Sequence, residues 1–296
     1  MGNFLINVLG VFLLIMLGVF LFYKLNPGYF DRQIAKRAQK VREAQVKNDA
    51  DLLGRRMVVP RDDKPGVRVN LYEPTRNSEE SRPVIFLAHG GSFMDGSADQ
   101  MDSFCNRCCE QWDALIVNID YTTMDVQKFP YPQEEIRDTV MYFAVHAADF
   151  NADPHRFAMT GFSAGAYLLV GAAALLKEAG FQVSGLISFY PVVDDAMIHI
   201  CDIGAHISPF TLVTTGNDAM KDRYPVYLQH LAGSTDVNQK TYDSCVQGFM
   251  EYNNPEFKNN PQYQKSQAID DDQAEMARAC EIWMGSEFER FFETGR

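Results

Sequence analysis

Gly161-Phe162-Ser163-Ala164-Gly165 follows directly on Arg156-Phe157-Ala158-Met159-Thr160 and leads directly into Ala166-Tyr167-Leu168-Leu169-Val170-Gly171-Ala172-Ala173-Ala174-Leu175-Leu176. The first flank reads as a short strand and the second, apolar on every side, as a buried helix. A strand that turns at once into a helix forces strain on the turning residue, and glycines two before and two after it let strand and helix cross closely. Ser163 is thereby the candidate nucleophile.

Outward from this turn, strands and helices alternate. Strands are predicted at 67–72, 83–88, 114–121, 183–190, 210–215 and 239–245, and helices at 98–112, 133–150, 224–231 and 273–292. Continuous apolar strands alternating with helices predict an α/β fold, a mostly parallel sheet covered on both faces. Between the last strand and the last helix, 253–272 is rich in Asn and Gln, without periodicity, and reads as a surface loop. An irregular stretch near 191–210 separates two of the strands.

The chain opens with twenty uncharged residues, 4–23, in which Asn7 is the only strongly polar side chain. At about 1.5 Å per residue they reach about 30 Å, the thickness of a hydrocarbon core. No basic stretch precedes them, and Tyr23-Lys24-Leu25-Asn26-Pro27 offers no small-residue cleavage site, so a retained transmembrane anchor over 1–24 is expected in preference to a signal peptide. Lys24, Arg32, Lys36, Arg37, Lys40 and Arg42 follow it, which places the globular part in the cytoplasm by the positive-inside rule. Residues 25–66 read as a juxtamembrane helix and linker, with Ile34, Ala38, Val41 and Ala44 drawing one apolar stripe. The catalytic domain is expected over 67–296.

A formal charge of −12 argues against nucleic acid as a partner. Six cysteines show no paired spacing that completes a zinc site and read as buried free thiols. No metal and no cofactor are implied, and oligomeric state is left open.

Four separated motifs stand in order: His89-Gly90-Gly91 after one strand; Tyr121 with Phe129-Pro130 and Asp138; the turn at Ser163; and Gly216-Asn217-Asp218 after a later strand. In this the chain resembles the α/β-hydrolase fold, and within it the hormone-sensitive-lipase-like esterases, over about 67–292. The resemblance implies attack of Ser163 on an ester carbonyl, with the backbone N–H groups of Gly90, Gly91 and Ala164 as donors to the oxyanion. It also implies Asp218 as the acid that orients the base. Phe93 and Met94, in the same loop, would line an apolar substrate entrance.

The base departs from the pattern. The family's histidine stands in a His-Gly-Phe sequence after the last strand, and here that place reads Gln247-Gly248-Phe249. An amide hydrogen-bonds but takes no proton near neutral pH. Of the histidines, His89 belongs to the oxyanion loop, His146 to a helix, His155 to a turn before the Ser163 strand and His230 to a late helix; His199 and His206 lie in the stretch near 191–210, which the resemblance implies crosses above the site as a short lid. Two functions follow as expectations: a membrane-anchored carboxylic-ester hydrolase impaired at its base, or a catalytically silent hydrolase-fold protein binding an acyl or other apolar ligand at the membrane.

Overall fold

The computed structural model describes residues 24–26, 28–76, 78–193, 209–232, 237–258 and 270–294. Its centre is one eight-stranded sheet built from Arg55–Arg61 (β1), Lys64–Tyr72 (β2), Arg82–Ala88 (β3), Leu115–Asp120 (β4), Ala152–Phe162 (β5), Gly185–Phe189 (β6), Phe210–Asn217 (β7) and Val237–Val246 (β8). The spatial order is β1-β2-β4-β3-β5-β6-β7-β8. β1 and β2 run antiparallel to their neighbours and the other six strands are parallel.

Side-chain alternation along the strands assigns each face of the sheet. Val84, Phe86 and Ala88 of β3 face a core completed by helices Tyr131–Val145 (α3) and Ala164–Glu178 (α4). Ile85 and Leu87 face the opposite core, with helices Asp102–Trp112 (α2) and Asp271–Thr294 (α8). Phe86 meets Phe143 and Phe157 edge-on at 5.8 and 5.2 Å, and Trp112 meets Phe288 at 5.2 Å, so aromatic rings fill both layers. Burial on both faces explains why these strands read as unbroken apolar runs.

Ahead of the sheet, Tyr29–Gln45 (α1) ends where its apolar stripe ends, near Ala44. The segment after it is pinned by charge: Lys47 Nζ lies 2.7 Å from Asp102 and 2.9 Å from Glu256, and Arg56 lies 2.7 Å from Asp99. Asp99 and Asp102 are fully buried, so these cations neutralise carboxylates that burial alone would penalise.

The sheet begins at Arg55, inside the stretch read as linker, because β1 buries only Val59 and carries Arg55, Arg56, Pro60 and Arg61 on an edge with no apolar alternation. The stretch read as a surface loop contains the helical turn Pro255–Lys258 (α7), where Phe257 and Asn254 are buried. The expected anchor at 4–23 and most of the expected lid, 194–208, lie outside the described residues; among the described residues no helix is long and apolar enough to cross a membrane.

Candidate active site

Because β3 to β8 are parallel, their carboxyl ends gather along one side, and every sequence-predicted site residue lies there. Ser163 stands between β5 and α4 with φ 50° and ψ −114°, a conformation that costs a non-glycine residue energy. The flanking glycines make it sterically feasible. A Cβ on Gly165 would lie 2.2 Å from the Ala88 carbonyl oxygen, and one on Gly161 would lie 2.7 Å from Leu169 Cδ1. The Ser163 amide donates to the Phe189 carbonyl at 3.0 Å, tying the turn to β6.

The loop after β3 carries Gly90 and Gly91. Gly91 has φ +135°, and a Cβ there would fall 1.9 Å from the Asp95 carbonyl oxygen. The turn closes through amides of Met94 and Asp95 donating to the Gly91 carbonyl at 3.1 and 2.8 Å. His89 holds this loop from behind: its Nδ1 donates to the Gly90 carbonyl at 2.7 Å, and its ring stacks on Tyr121 at 4.3 Å. The Tyr121 hydroxyl donates to the His89 carbonyl at 2.9 Å. Burial lowers the His89 pKa although Asp120 opposes it, so the neutral ring with Nδ1–H fits the contact. A Cβ on Gly90 would lie 3.6 Å from Ser163 Cβ, so this loop and Ser163 stand in contact range. Ala164 is the first residue of α4 and fully buried.

Asp218 follows β7 and is 6% exposed. Gln247 follows β8 on the adjacent strand, and its backbone N–H donates to the Asn217 carbonyl at 3.2 Å. The acid and the glutamine therefore occupy neighbouring strand ends. Among the described residues no hydrogen bond links the Gln247 side chain to Asp218 or Ser163. The remaining histidines sort by position, His230 on the helix Tyr224–Ala232 (α5) after β7. His155 lies near the opposite end of β5, eight residues before Ser163 and so about 25 Å away along an extended strand. His146 caps α3 at its distal end and pairs with Asp149 at 3.2 Å. His199 and His206 fall outside the described residues.

Phe93 and Met94 diverge. Phe93 is buried, packed edge-on against Phe129 and Tyr167 at 5.5 Å each, as a core residue would be. Met94 lines a groove of about 270 Å³ between α1 and the loop after β3, together with Ile34, Ala38, Val41 and Ser92. Arg42 holds α1 over this loop, donating to the Met94 carbonyl and, at 2.8 and 3.0 Å, to both oxygens of Asp125. The five described cysteines are buried and free, and among the described residues no cluster of three or more His, Cys, Asp or Glu is placed to hold a metal.

One acidic residue escaped the sequence reading. Past Gln247, Gly248 takes φ +91° and starts the short helix Phe249–Tyr252 (α6), which turns Glu251 back toward Gly90 in the loop after β3. Its carboxyl is buried, accepts a hydrogen bond from the Tyr190 hydroxyl at 2.5 Å, and faces Gly90. Burial pushes its pKa up to about 7, with the Tyr190 hydrogen bond opposing. The available signal was an acid in the otherwise apolar Phe249-Met250-Glu251-Tyr252, four residues past the expected base.

Comparison with known proteins agrees with this geometry. Residues 85–200 match a family described as having the α/β-hydrolase fold. A versiconal hemiacetal acetate esterase of Dothistroma septosporum is 28% identical over 116 residues, which are 39% of this chain and 35% of that protein. A thermostable carboxylesterase cloned from a metagenomic library superposes with a TM-score of 0.65 at 20% identity, over 90% of this chain and 98% of the other. An esterase of Rhizomucor miehei superposes with a TM-score of 0.68 at 16% identity, over 90% and 92%. The fold is that of the α/β hydrolases.

Proposed function

We propose that this chain, an α/β hydrolase by fold and similar to hormone-sensitive-lipase-like esterases in its motifs, hydrolyses carboxylic esters by acyl transfer through Ser163. The observation that carries the reading is Ser163 at φ 50°, ψ −114° on a strand-to-helix turn, with Gly90 of the loop after β3 packed against it. In this reading Ser163 Oγ attacks the ester carbonyl, and N–H groups of Gly90, Gly91 and Ala164 stabilise the oxyanion. Asp218 occupies the place of the acid. Gln247 positions but takes no proton, so turnover is slow compared with a full triad, where loss of the base costs about a millionfold. The partial relative is an acetate esterase, which supports a small ester as substrate. We read 4–23 as a membrane anchor, with the hydrolase domain on the cytoplasmic side; the run of uncharged residues and the basic residues after it support this.

A second reading, a silent protein that binds an acyl or apolar ligand, draws support from Gln247 and from the groove under α1. Hydrolysis of p-nitrophenyl acetate and butyrate by the full chain in detergent separates the two. The esterase reading expects Ser163→Ala to abolish turnover, Gln247→His to raise it by orders of magnitude, and an acyl adduct on Ser163 by mass spectrometry. No turnover in either the chain as written or Gln247→His, with no adduct, rejects it.

A further inference from the structure

The Glu251 carboxyl and Ser163 flank the same glycine. The point where a Cβ on Gly90 would sit is 2.6 Å from Glu251 Oε1 and 3.6 Å from Ser163 Cβ. Oε1 and Ser163 Cβ are therefore no farther apart than the sum of these two distances, which one bridging water can span when Oγ turns toward the carboxyl. Oε2 is fixed by the Tyr190 hydroxyl, which leaves Oε1 turned toward Gly90. The titratable groups that face the carboxyl are phenols, Tyr190 just past β6 and Tyr121 just past β4; Cys280 on α8 neighbours Tyr190 in turn. Among the described residues no lysine or arginine contributes to its ionisation. No cation neutralises the carboxylate, so burial outweighs the hydrogen bonds from Tyr190 and from the Glu251 backbone that favour the ionised form.

We propose that Glu251 is the proton acceptor for Ser163, serving where this chain has Gln247 in place of histidine. The inference rests on Ser163 being the nucleophile of an ester hydrolase. Ionised Glu251 takes a proton from the bridging water as that water takes the Ser163 hydroxyl proton. The freed Oγ electron pair forms the bond to the ester carbonyl carbon, and the carbonyl π pair moves to the oxygen that faces Gly90, Gly91 and Ala164. When the intermediate collapses, the bond from carbon to the alcohol oxygen breaks, and the leaving alkoxide receives the proton back from Glu251 through the same water. A second water then attacks the acyl-enzyme with Glu251 again as acceptor, which releases the acid and returns the proton to Ser163. A carboxyl titrating near 7 suits this task, because a base is most effective when its pKa lies near the working pH.

The test is the pH dependence of kcat/KM for p-nitrophenyl butyrate between pH 5 and 9, on the full chain in detergent. The variants are Ser163→Ala, Glu251→Gln, Tyr190→Phe and the double variant Glu251→Gln with Gln247→His. Expected for the chain as written is a tenfold fall per pH unit below about 7. Glu251→Gln should lower kcat/KM by about a hundredfold and remove that limb, as loss of a general base does. Tyr190→Phe should move the limb to higher pH, since the ionised form loses a donor. The double variant should recover activity, because an imidazole at 247 supplies a base and makes Glu251 dispensable. Undiminished activity with an unchanged limb in Glu251→Gln overturns the proposal, and so does a loss that Gln247→His fails to rescue, which marks damage to the loop instead. If Ser163→Ala is as active as the chain as written, the serine reading fails, and this inference with it.

Discussion

The Tyr224 hydroxyl donates to Asp218 Oδ2 at 2.5 Å, while the Met220 amide donates to Oδ1 at 2.7 Å. The carboxylate in the place expected for the acid is thus held by groups that follow it within six residues. A carboxylate has about four acceptor sites, so room remains for an imidazole at 247.

That arrangement makes the effect of Asp218 conditional on its neighbour. With Gln247 in place there is no imidazolium for Asp218 to stabilise, and Asp218→Asn should lower kcat/KM less than tenfold. In Gln247→His the same change should lower kcat by about ten-thousandfold, the loss seen when a triad acid becomes an amide. Steady-state kinetics on the four chains of this cycle measure the coupling. Equal losses in both backgrounds would mean that Asp218 serves the fold only.

Gly165 and Gly180 should respond oppositely to alanine. A Cβ at 165 meets the carbonyl oxygens of Ala88 and His89 at 2.2 and 2.4 Å, and these are backbone atoms of β3 and the oxyanion loop that cannot swing aside. At Gly180 no atom lies within 4 Å, and only the φ of +79° opposes a side chain. Gly165→Ala should therefore cost more than about 4 kcal/mol or prevent folding, and Gly180→Ala about 1 kcal/mol. Urea unfolding followed by circular dichroism gives both values.

What could be read in the sequence and what could not divide along the same physical line. The Ser163 turn, the parallel sheet and the oxyanion glycines are local signals: an apolar run, two glycines at fixed spacing, a second apolar run. Strand β1 stayed hidden because an edge strand that buries only Val59 has no reason to alternate. Phe93 was assigned to the substrate entrance, yet it turns inward against Phe129 and Tyr167, a choice of rotamer and packing that no spacing records. Glu251 and Tyr190 are 61 residues apart, and the meeting of a carboxyl with Gly90 depends on how α6 leaves β8. Contacts of that kind belong to the fold as a whole.

Arg42 should anchor α1 over the oxyanion loop in a pH-dependent way. Burial raises the Asp125 pKa, but hydrogen bonds from Arg42 and Thr123 outweigh it, and the net shift is downward from 3.8. A depressed carboxyl pKa adds stability that is present above the unfolded value and is lost as pH falls through the folded one. Arg42→Ala should thus destabilise by about 1 to 3 kcal/mol at pH 7, as expected for a charge-assisted bond, and by clearly less at pH 3. Urea midpoints at the two pH values test this, and hydrogen exchange should show α1 amides losing protection. An equal effect at both pH values would remove the ion pair from the account.

Glu251 carries the opposite sign. Its folded pKa of about 7 lies above the ordinary 4.5, so the folded chain holds this proton more tightly than the unfolded one. The associated stability is fully present below pH 4.5 and is lost as pH rises toward 7, by about 3 kcal/mol at 1.36 kcal/mol per unit. Glutamine has the same shape, accepts the Tyr190 hydroxyl through its amide oxygen, and never ionises. Glu251→Gln should therefore match the chain as written near pH 4.5 and exceed it in stability at pH 8, while losing activity. Urea unfolding of the two chains across this range measures the difference directly, which cancels the carboxylates they share. A parallel pH dependence in both would show that Glu251 does not titrate between them. A residue whose ionisation weakens the fold at neutral pH, where an isosteric amide would not, has the stability cost that accompanies groups retained for chemistry.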